Sequence, residues 1–294
     1  MFPEQLSMHL IKLVADEIDI NRTGFAIEIG VGTSNFYALV YKGLGFNTIA
    51  VDPVPYAPFV DLALQHQIVF DESCIYLENG EQTIYISSQS DLSSLHNNWW
   101  GVTQNISKKV ASQNLTTFIE KHGIEKITFF KVDTEGSEYE ILQQFTSLSP
   151  QLLPGVIEFE FGGGGLKNEH KGGWEPGFYK KTLTTLELLK KLGYKEAIIF
   201  DSIELKPVLF SFESTANFDD LFKPNFEYGN LIAFKEEIKD WAVIKSQLTE
   251  LQNELLIQHI NNLKRENTDL YMQLIKKDLL GRIARKIKRT FGVK

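Results

Sequence analysis

A chain of 294 residues with 43% hydrophobic and 23% charged side chains can bury one large core and still carry an extension, which excludes a disordered polymer. One cysteine, Cys74, excludes an internal disulfide framework and fits a reducing compartment. The net charge of −8 hides a basic end: residues 276–294 carry a net +7, which leaves the rest at −15, and an acidic body of that kind is not a general nucleic-acid binder.

The N-terminus alternates acids with its apolar positions and has no basic-then-apolar leader, so no signal peptide is expected. No apolar run reaches the length of a membrane span. Residues 4–18 place Leu6, Leu10, Leu13, Val14 and Ile18 on one face, which predicts an amphipathic helix over the start of a sheet.

Phe25 to Pro53 follows as strand, glycine loop, helix, strand and acid. Phe25–Ile29 is an apolar run broken only by Glu28. Gly30 and Gly32 open a turn, Thr33, Ser34 and Asn35 lead into a helix ending near Gly43, and Thr48–Val51 ends on Asp52 and Pro53. This is the first half of a nucleotide-binding α/β unit. Glycines let a ligand lie against bare main chain, helix-start amides near Thr33–Asn35 hold an anion, and an acid in the position of Asp52 accepts hydrogen bonds from ribose hydroxyls. A dinucleotide fingerprint needs a third glycine where Asn35 stands. The form EIGVGTS suits S-adenosylmethionine better, with Glu28 near the cationic methionine end. A dinucleotide and a ligand-free glycine turn are the competing readings.

Three prolines, Pro53, Pro55 and Pro58, argue against a helix there, and a short helix is expected over 61–70. Asn79-Gly80 between Cys74–Leu77 and Thr83–Ser87 predicts a hairpin. Ser88–Val110, with Asp91, His96, Trp99 and Trp100, reads as a loop near the cofactor mouth or a surface loop with packed tryptophans. Leu115–His122 is a helix ended by Gly123. Lys126–Val132 is a buried strand running into Asp133-Thr134-Glu135-Gly136, and acids at a carboxyl end of an open sheet mark a ligand edge. The alternative is that they cap the next helix. Gly155–Phe161 is a further strand carrying Glu158 and Glu160. It ends in Gly162–Gly165, a run that suggests a mobile loop over the site, continued by His170. Phe178–Leu192 is a helix, and Ala197–Phe200 and Leu231–Phe234 are strands.

From Trp241 the spacing of Ile244, Leu248, Leu251 and Leu255, and after a register shift of Leu256, Ile260, Leu263, Asn267, Leu270 and Leu274, is a coiled-coil pattern. It predicts a homo-oligomer through residues 241–275, against the alternative of a helix folded back on the domain. Leu280, Ile283, Ile287 and Phe291, ringed by basic residues, form the face of a helix lying on an anionic membrane surface through residues 279–293. A solvated tail or an acidic partner is the alternative.

The segment KVDTEGSEYEIL, Lys131–Leu142, closely resembles the KIDVEGAExEVL signature of the FkbM-type methyltransferases. Val51-Asp52-Pro53 resembles that family's FEP, with Asp52 in place of Glu. VIEFEF, Val156–Phe161, is similar to its later strand ending in IE. Asn114–Phe118 sits at its TLDDL, with Thr116 in place of the acid, and EIGVGTS stands where the family often has DVGANxG. The resemblance covers about residues 25–235.

It implies an α/β Rossmann-like class I methyltransferase sheet of about seven strands, within a domain expected over 1–237; the coiled-coil helix expected over 238–275 and the basic amphipathic tail over 276–294 lie outside the resemblance and rest on spacing and charge. It also implies methyl transfer from S-adenosylmethionine to a hydroxyl of a sugar, glycan or related metabolite. The expected cofactor ligands are Glu28, Gly30, Gly32, Thr33, Ser34, Asn35, Asp52, Pro53 and Asp133. Asp133, Glu135, Glu158 and His170 are candidate bases, and a divalent metal on Asp133 and Glu135 is the alternative way to activate the hydroxyl. The expected location is cytoplasmic, peripheral to the inner face of a membrane. A catalytically inactive scaffold working through its coiled coil, and a dinucleotide-dependent oxidoreductase, are the other readings.

Overall fold

The computed structural model describes residues 2–104, 106–204 and 206–266. Contacts divide the chain into two compact units, residues 3–239 and a second beginning at Asp240.

The first unit is an α/β domain. Helix α1 (Phe2–Asp19) leads into β1 (Phe25–Ile29), α2 (Tyr37–Gly43), β2 (Asn47–Val51), α3 (Ala57–Gln65) and β3 (Val69–Asp71). Strands β4 (Cys74–Ile75), β5 (Gly80–Tyr85) and β6 (Ser107–Gln113) precede α4 (Leu115–His122), β7 (Ile127–Val132), α5 (Glu138–Leu142), β8 (Val156–Gly162) and α6 (Pro176–Lys191). Strands β9 (Glu196–Asp201), β10 (Val208–Ser211) and β11 (Tyr228–Phe234) complete it.

The main sheet has eight strands in the order β10-β9-β11-β8-β7-β1-β2-β3. Strands β3, β2, β1, β7 and β8 are mutually parallel, and beyond them β11 pairs antiparallel with β8, β9 with β11 and β10 with β9. The order reverses at β1, between β2 and β7, and a ligand crevice opens at the carboxyl ends there. The count is one more than the seven strands expected: the sequence marks neither β3 nor β10, whose three and four residues are too short to show a period. One face of the sheet carries a continuous core in which Phe130 meets Phe145 edge-on and Leu115, Phe118, Ile141 and Leu189 are buried. On the other face Tyr41 of α2 stacks on Phe129 of β7, with 5.4 Å between ring centroids.

Two local expectations are corrected. Helix α3 starts at Ala57, before Pro58 rather than after it. A proline in the first turn costs no hydrogen bond because the first amides have no intrahelical partner. Val69 and Phe70, the end of the expected helix over 61–70, belong to β3. The segments flanking Asn79-Gly80 do not pair with each other: β4 and β5 both pair with β6, in a small sheet of order β4-β6-β5. Asn79 instead accepts from the Asn114 amide and donates to Thr117 at the start of α4.

The second unit, described by itself, contains α7 (Trp241–Glu266), one continuous helix through the register shift at Leu255 and Leu256. The remainder of the expected coiled coil, with Asn267, Leu270 and Leu274, and the whole basic tail lie outside the described residues. Among the described residues no helix is long and apolar enough to cross a membrane.

Candidate active site

The crevice is built first by backbone. Gly30 and Gly32 have φ of +79° and +63°. A Cβ on Gly30 would lie 1.6 Å from the Asp133 carbonyl oxygen, so only glycine lets the end of β1 lie against the end of β7. The Gly30 amide donates to the Val51 carbonyl and the Asp133 amide to the Ile29 carbonyl, which joins three strand ends at one point.

Asp52 closes the loop. Its Oδ2 accepts from the amides of Val31 (3.0 Å) and Gly32 (3.2 Å), and its Oδ1 accepts from the amide of Val54 (2.8 Å). Burial pushes its carboxyl above the usual range, against these amides, which favour the charged form. Thr33 is tied to the far wall by donating to Asp91 at 2.8 Å.

The end of β7 supplies the acids. Glu138, the first residue of α5, folds back on the loop before the helix and accepts from the amides of Thr134 and Gly136 and from the Thr134 hydroxyl. The side chains of Asp133 and Glu135 turn instead to Lys131 and Trp99. Asp133 pairs with the Lys131 ammonium at 3.0 Å. Glu135 is a non-glycine residue at φ 57°, a conformation that costs about 1 kcal/mol or more. Two long-range hydrogen bonds hold it there: Ser94 Oγ donates to its carbonyl at 2.6 Å, and Trp99 Nε1 donates to its Oε2 at 2.6 Å.

A third carboxylate joins these two. Glu160, near the end of β8, brings an oxygen to the same place, and among the described residues Asp133, Glu135 and Glu160 present carboxylate atoms all within 4.8 Å of one another. Three such groups cannot all be ionised in a partly buried site. Burial, then the charge of Asp133, pushes both Glu135 and Glu160 well above the ordinary carboxyl range. The cluster is a place where a proton can be held and shared between carboxyls, and its hard oxygens are also of the type that holds a divalent cation.

These groups line a cavity of about 320 Å³. Of the residues expected there, Gly30, Gly32, Thr33, Ser34, Asn35, Asp52, Pro53, Asp133 and Glu135 all line it. One wall is apolar, with Val54, Tyr56, Ile75, Ile84 and Leu95, and the far end is lined by Lys131, Glu160 and Glu4 of α1. The loop expected near the mouth is there too, through Asp91, Leu92, Ser93 and Leu95.

Three expected site residues are elsewhere. Glu28 is fully buried and caps α2, accepting from the amides of Tyr37 (3.2 Å) and Ala38 (2.7 Å). The first two amides of α2 are thus taken by an internal carboxyl, while Thr33–Asn35, which precede the helix, line the cavity. Glu158 is buried, accepts from Tyr37 Oη at 2.7 Å, and does not line the cavity. His170 is exposed, in the left-handed region, and lines no wall. The glycine run after β8 is pinned rather than open: Gly163 donates to the Glu227 carbonyl and accepts from the Gly173 amide, while the Trp100 ring lies where a Gly164 Cβ would stand.

Sequence reasoning missed three participants. Glu160 was seen only as part of the VIEFEF alternation, which places Glu158 and Glu160 on one face without saying which reaches the edge. Lys131 was hidden in an apolar strand. Trp99 meets Glu135 across 36 residues of chain, a pairing with no local signal.

The chain matches the family model described as the Methyltransferase FkbM domain over residues 24–196. Comparison with curated proteins gives no match. The match spans more than half of the chain, and the protein belongs to the FkbM methyltransferase family.

Proposed function

We propose that this member of the FkbM methyltransferase family transfers a methyl group from S-adenosylmethionine to a hydroxyl of a sugar, glycan or related metabolite. The observation that carries the reading is the convergence, in one 320 Å³ cavity, of the glycine loop, Asp52 and the Asp133–Glu135–Glu160 carboxylates. That volume lies in the range of small-molecule sites. The residues present fit the donor. Asp52 has one lone pair left, on Oδ1, for a ribose hydroxyl, the apolar wall from Val54 to Leu95 suits an adenine, and Gly30–Asn35 with Asp133 border the methionine end.

When bound, the donor supplies a methyl on a sulfonium: the acceptor oxygen forms the C–O bond while the C–S pair returns to sulfur. The chain's own task is to hold the acceptor in line and take its proton. Glu135, fixed by Trp99, and Glu160 are the groups placed to do so. A second reading is favoured by the clustering of three carboxylate oxygens. A divalent cation on Asp133, Glu135 and Glu160 would lower the pKa of the hydroxyl instead, and turnover lost on chelation and restored by Mg²⁺ or Mn²⁺ would select it.

The expectation of self-association through residues 241–275, and of an anionic membrane surface met by residues 279–293 from the cytoplasmic side, is carried forward as part of the proposal on the sequence pattern alone. Calorimetric titration with S-adenosylhomocysteine tests the donor site: wild type binds, and Asp52→Ala binds at least about tenfold more weakly. Absence of binding by the wild type refutes the reading and favours an inactive scaffold.

A further inference from the structure

Behind the three carboxylates lies a second, smaller cavity. Asp133, Glu135 and Glu160 line both spaces, so they form the partition between them. The smaller one holds about 30 Å³, room for one or two waters or a single projecting group, and not for a sugar ring. Its floor is Phe159 and Phe161 of β8. Its outer wall is Trp99, set edge-to-face on Phe178 at 4.8 Å between centroids, with Thr182 on the partly exposed side of α6. Gly136 belongs to the same wall, where a Cβ would meet both Phe178 and Trp99 at 3.0 Å.

We infer that this slot is the acceptor subsite, and that it admits a small, uncharged or amine-bearing projecting group of the acceptor while rejecting an anionic one. The inference rests on the proposed methyl transfer. In-line displacement needs the acceptor on the side of the methyl opposite the leaving sulfur. With the methionine end of the donor against Gly30–Asn35 and Asp133, as proposed, the carboxylate partition borders the reacting methyl, and the slot lies on the partition's other side. The walls define the chemistry. Aromatic edges and faces suit the carbon skeleton of a hydroxymethyl or ring C–H group, and the partition offers acceptors for O–H or N–H.

The charges define the exclusion. Lys181, the cation on the slot, is committed to Glu140 at 2.5 Å and to the Gly136 carbonyl at 3.1 Å. The cluster already cannot hold all three of its carboxyls ionised, and a carboxylate or phosphate on the acceptor would bring a further negative charge beside it at close range.

The test uses the full chain with S-adenosylmethionine labelled in its methyl group and three probes of matched size: a methyl hexopyranoside, its 2-amino-2-deoxy counterpart and the corresponding hexuronate. Label is expected to pass to the neutral or amino probe at least about tenfold faster than to the uronate. Thr182→Trp, which fills the slot, lowers that transfer about tenfold or more while S-adenosylhomocysteine affinity stays unchanged. Phe178→Ala, which opens the same wall, raises the acceptor KM with donor affinity again unchanged. Transfer to the uronate at an equal or greater rate, or to none of the three, overturns the acceptor class. Undiminished transfer in Thr182→Trp together with an unchanged KM in Phe178→Ala overturns the location. If the wild type fails to bind S-adenosylhomocysteine, the methyltransferase reading itself has failed, and the two results are distinguishable.

Discussion

Replacing Lys131 by Met removes the one cation from a row of buried charges, and its consequence can be worked from the sheet register. Glu28, Lys131 and Glu158 are direct neighbours across β1, β7 and β8. All three are at most 5% exposed. The ammonium lies 3.0 Å from Asp133, 3.9 Å from Glu28 and 4.8 Å from the centre of the Tyr37 ring. Burial pushes Glu28 up to about 7 and Glu158 up to about 8, even with Lys131 holding both down. Without the cation both rise further.

Removing one partner of a buried charge set costs about 3–5 kcal/mol, and Lys131→Met is expected to lose that much at pH 8. The sign of the pH dependence follows. A carboxyl whose folded pKa is raised gives stability that is complete below its unfolded value, about 4.3, and lost as pH climbs through the folded value. The variant holds protons on Glu28 and Glu158 over pH 7–8 where the wild type is releasing them. Its stability therefore falls more steeply, by up to about 1.4 kcal/mol per pH unit for each extra proton held. Urea unfolding at fixed pH values between 5 and 8.5 measures this. A deficit that stays constant with pH, or stays below about 1 kcal/mol at pH 8, would refute the account of a single cation balancing buried carboxyls.

Trp99→Phe keeps a ring against Phe178 but deletes the N–H that donates to Glu135 Oε2. The carboxyl then loses a bond favouring its charged form, so the acidic limb of the rate profile moves to higher pH and the rate at pH 7 falls about fivefold. Donor affinity is unchanged, and an unmoved profile would show that Glu135 is not the titrating group. Asp71 is 5% exposed and accepts from Lys121 (2.7 Å), His122 (2.8 Å) and Gln113 (3.0 Å). Burial alone would raise its carboxyl, but these partners and Ser73 hold it well below the usual range. The stability it gives is present above about pH 4 and lost as pH falls further. Asp71→Asn should cost about 2 kcal/mol at pH 7 and flatten the acid limb of the unfolding curve. Equal acid sensitivity in the variant would contradict this.

What was legible in the chain was what is local. The glycine loop and Asp52 stand within 30 residues of one another and fold as one βαβ half, so spacing alone places them on one edge. Asp133 and Glu135 could be placed because a buried strand ends immediately before them. Glu28 and Glu158 were misplaced for a shared reason: a strand pattern tells which face a side chain takes, but not how far along the sheet the crevice begins. Glu28 falls two residues short of Gly30, beneath α2, and Glu158 two residues short of Glu160, beneath Tyr37. The polar sequence of β6, SKKVASQ, concealed the strand that separates β4 from β5, and so a hairpin was expected where two strands share a third. The tryptophan clamp on Glu135 is tertiary and has no trace in spacing.

The hydrogen bonds from Val31 and Gly32 to Asp52 make the acid and the glycine loop one piece before any ligand arrives. A flexible loop would have to be ordered by each incoming molecule, at about 0.5–1.5 kcal/mol for every side chain immobilised. Here that ordering is completed during folding, and the ribose of the proposed donor would meet an acceptor already aimed. The cavity is in this sense a mould set in advance, and on the proposed reading its selectivity among nucleoside-like molecules would be a property of the folded chain alone.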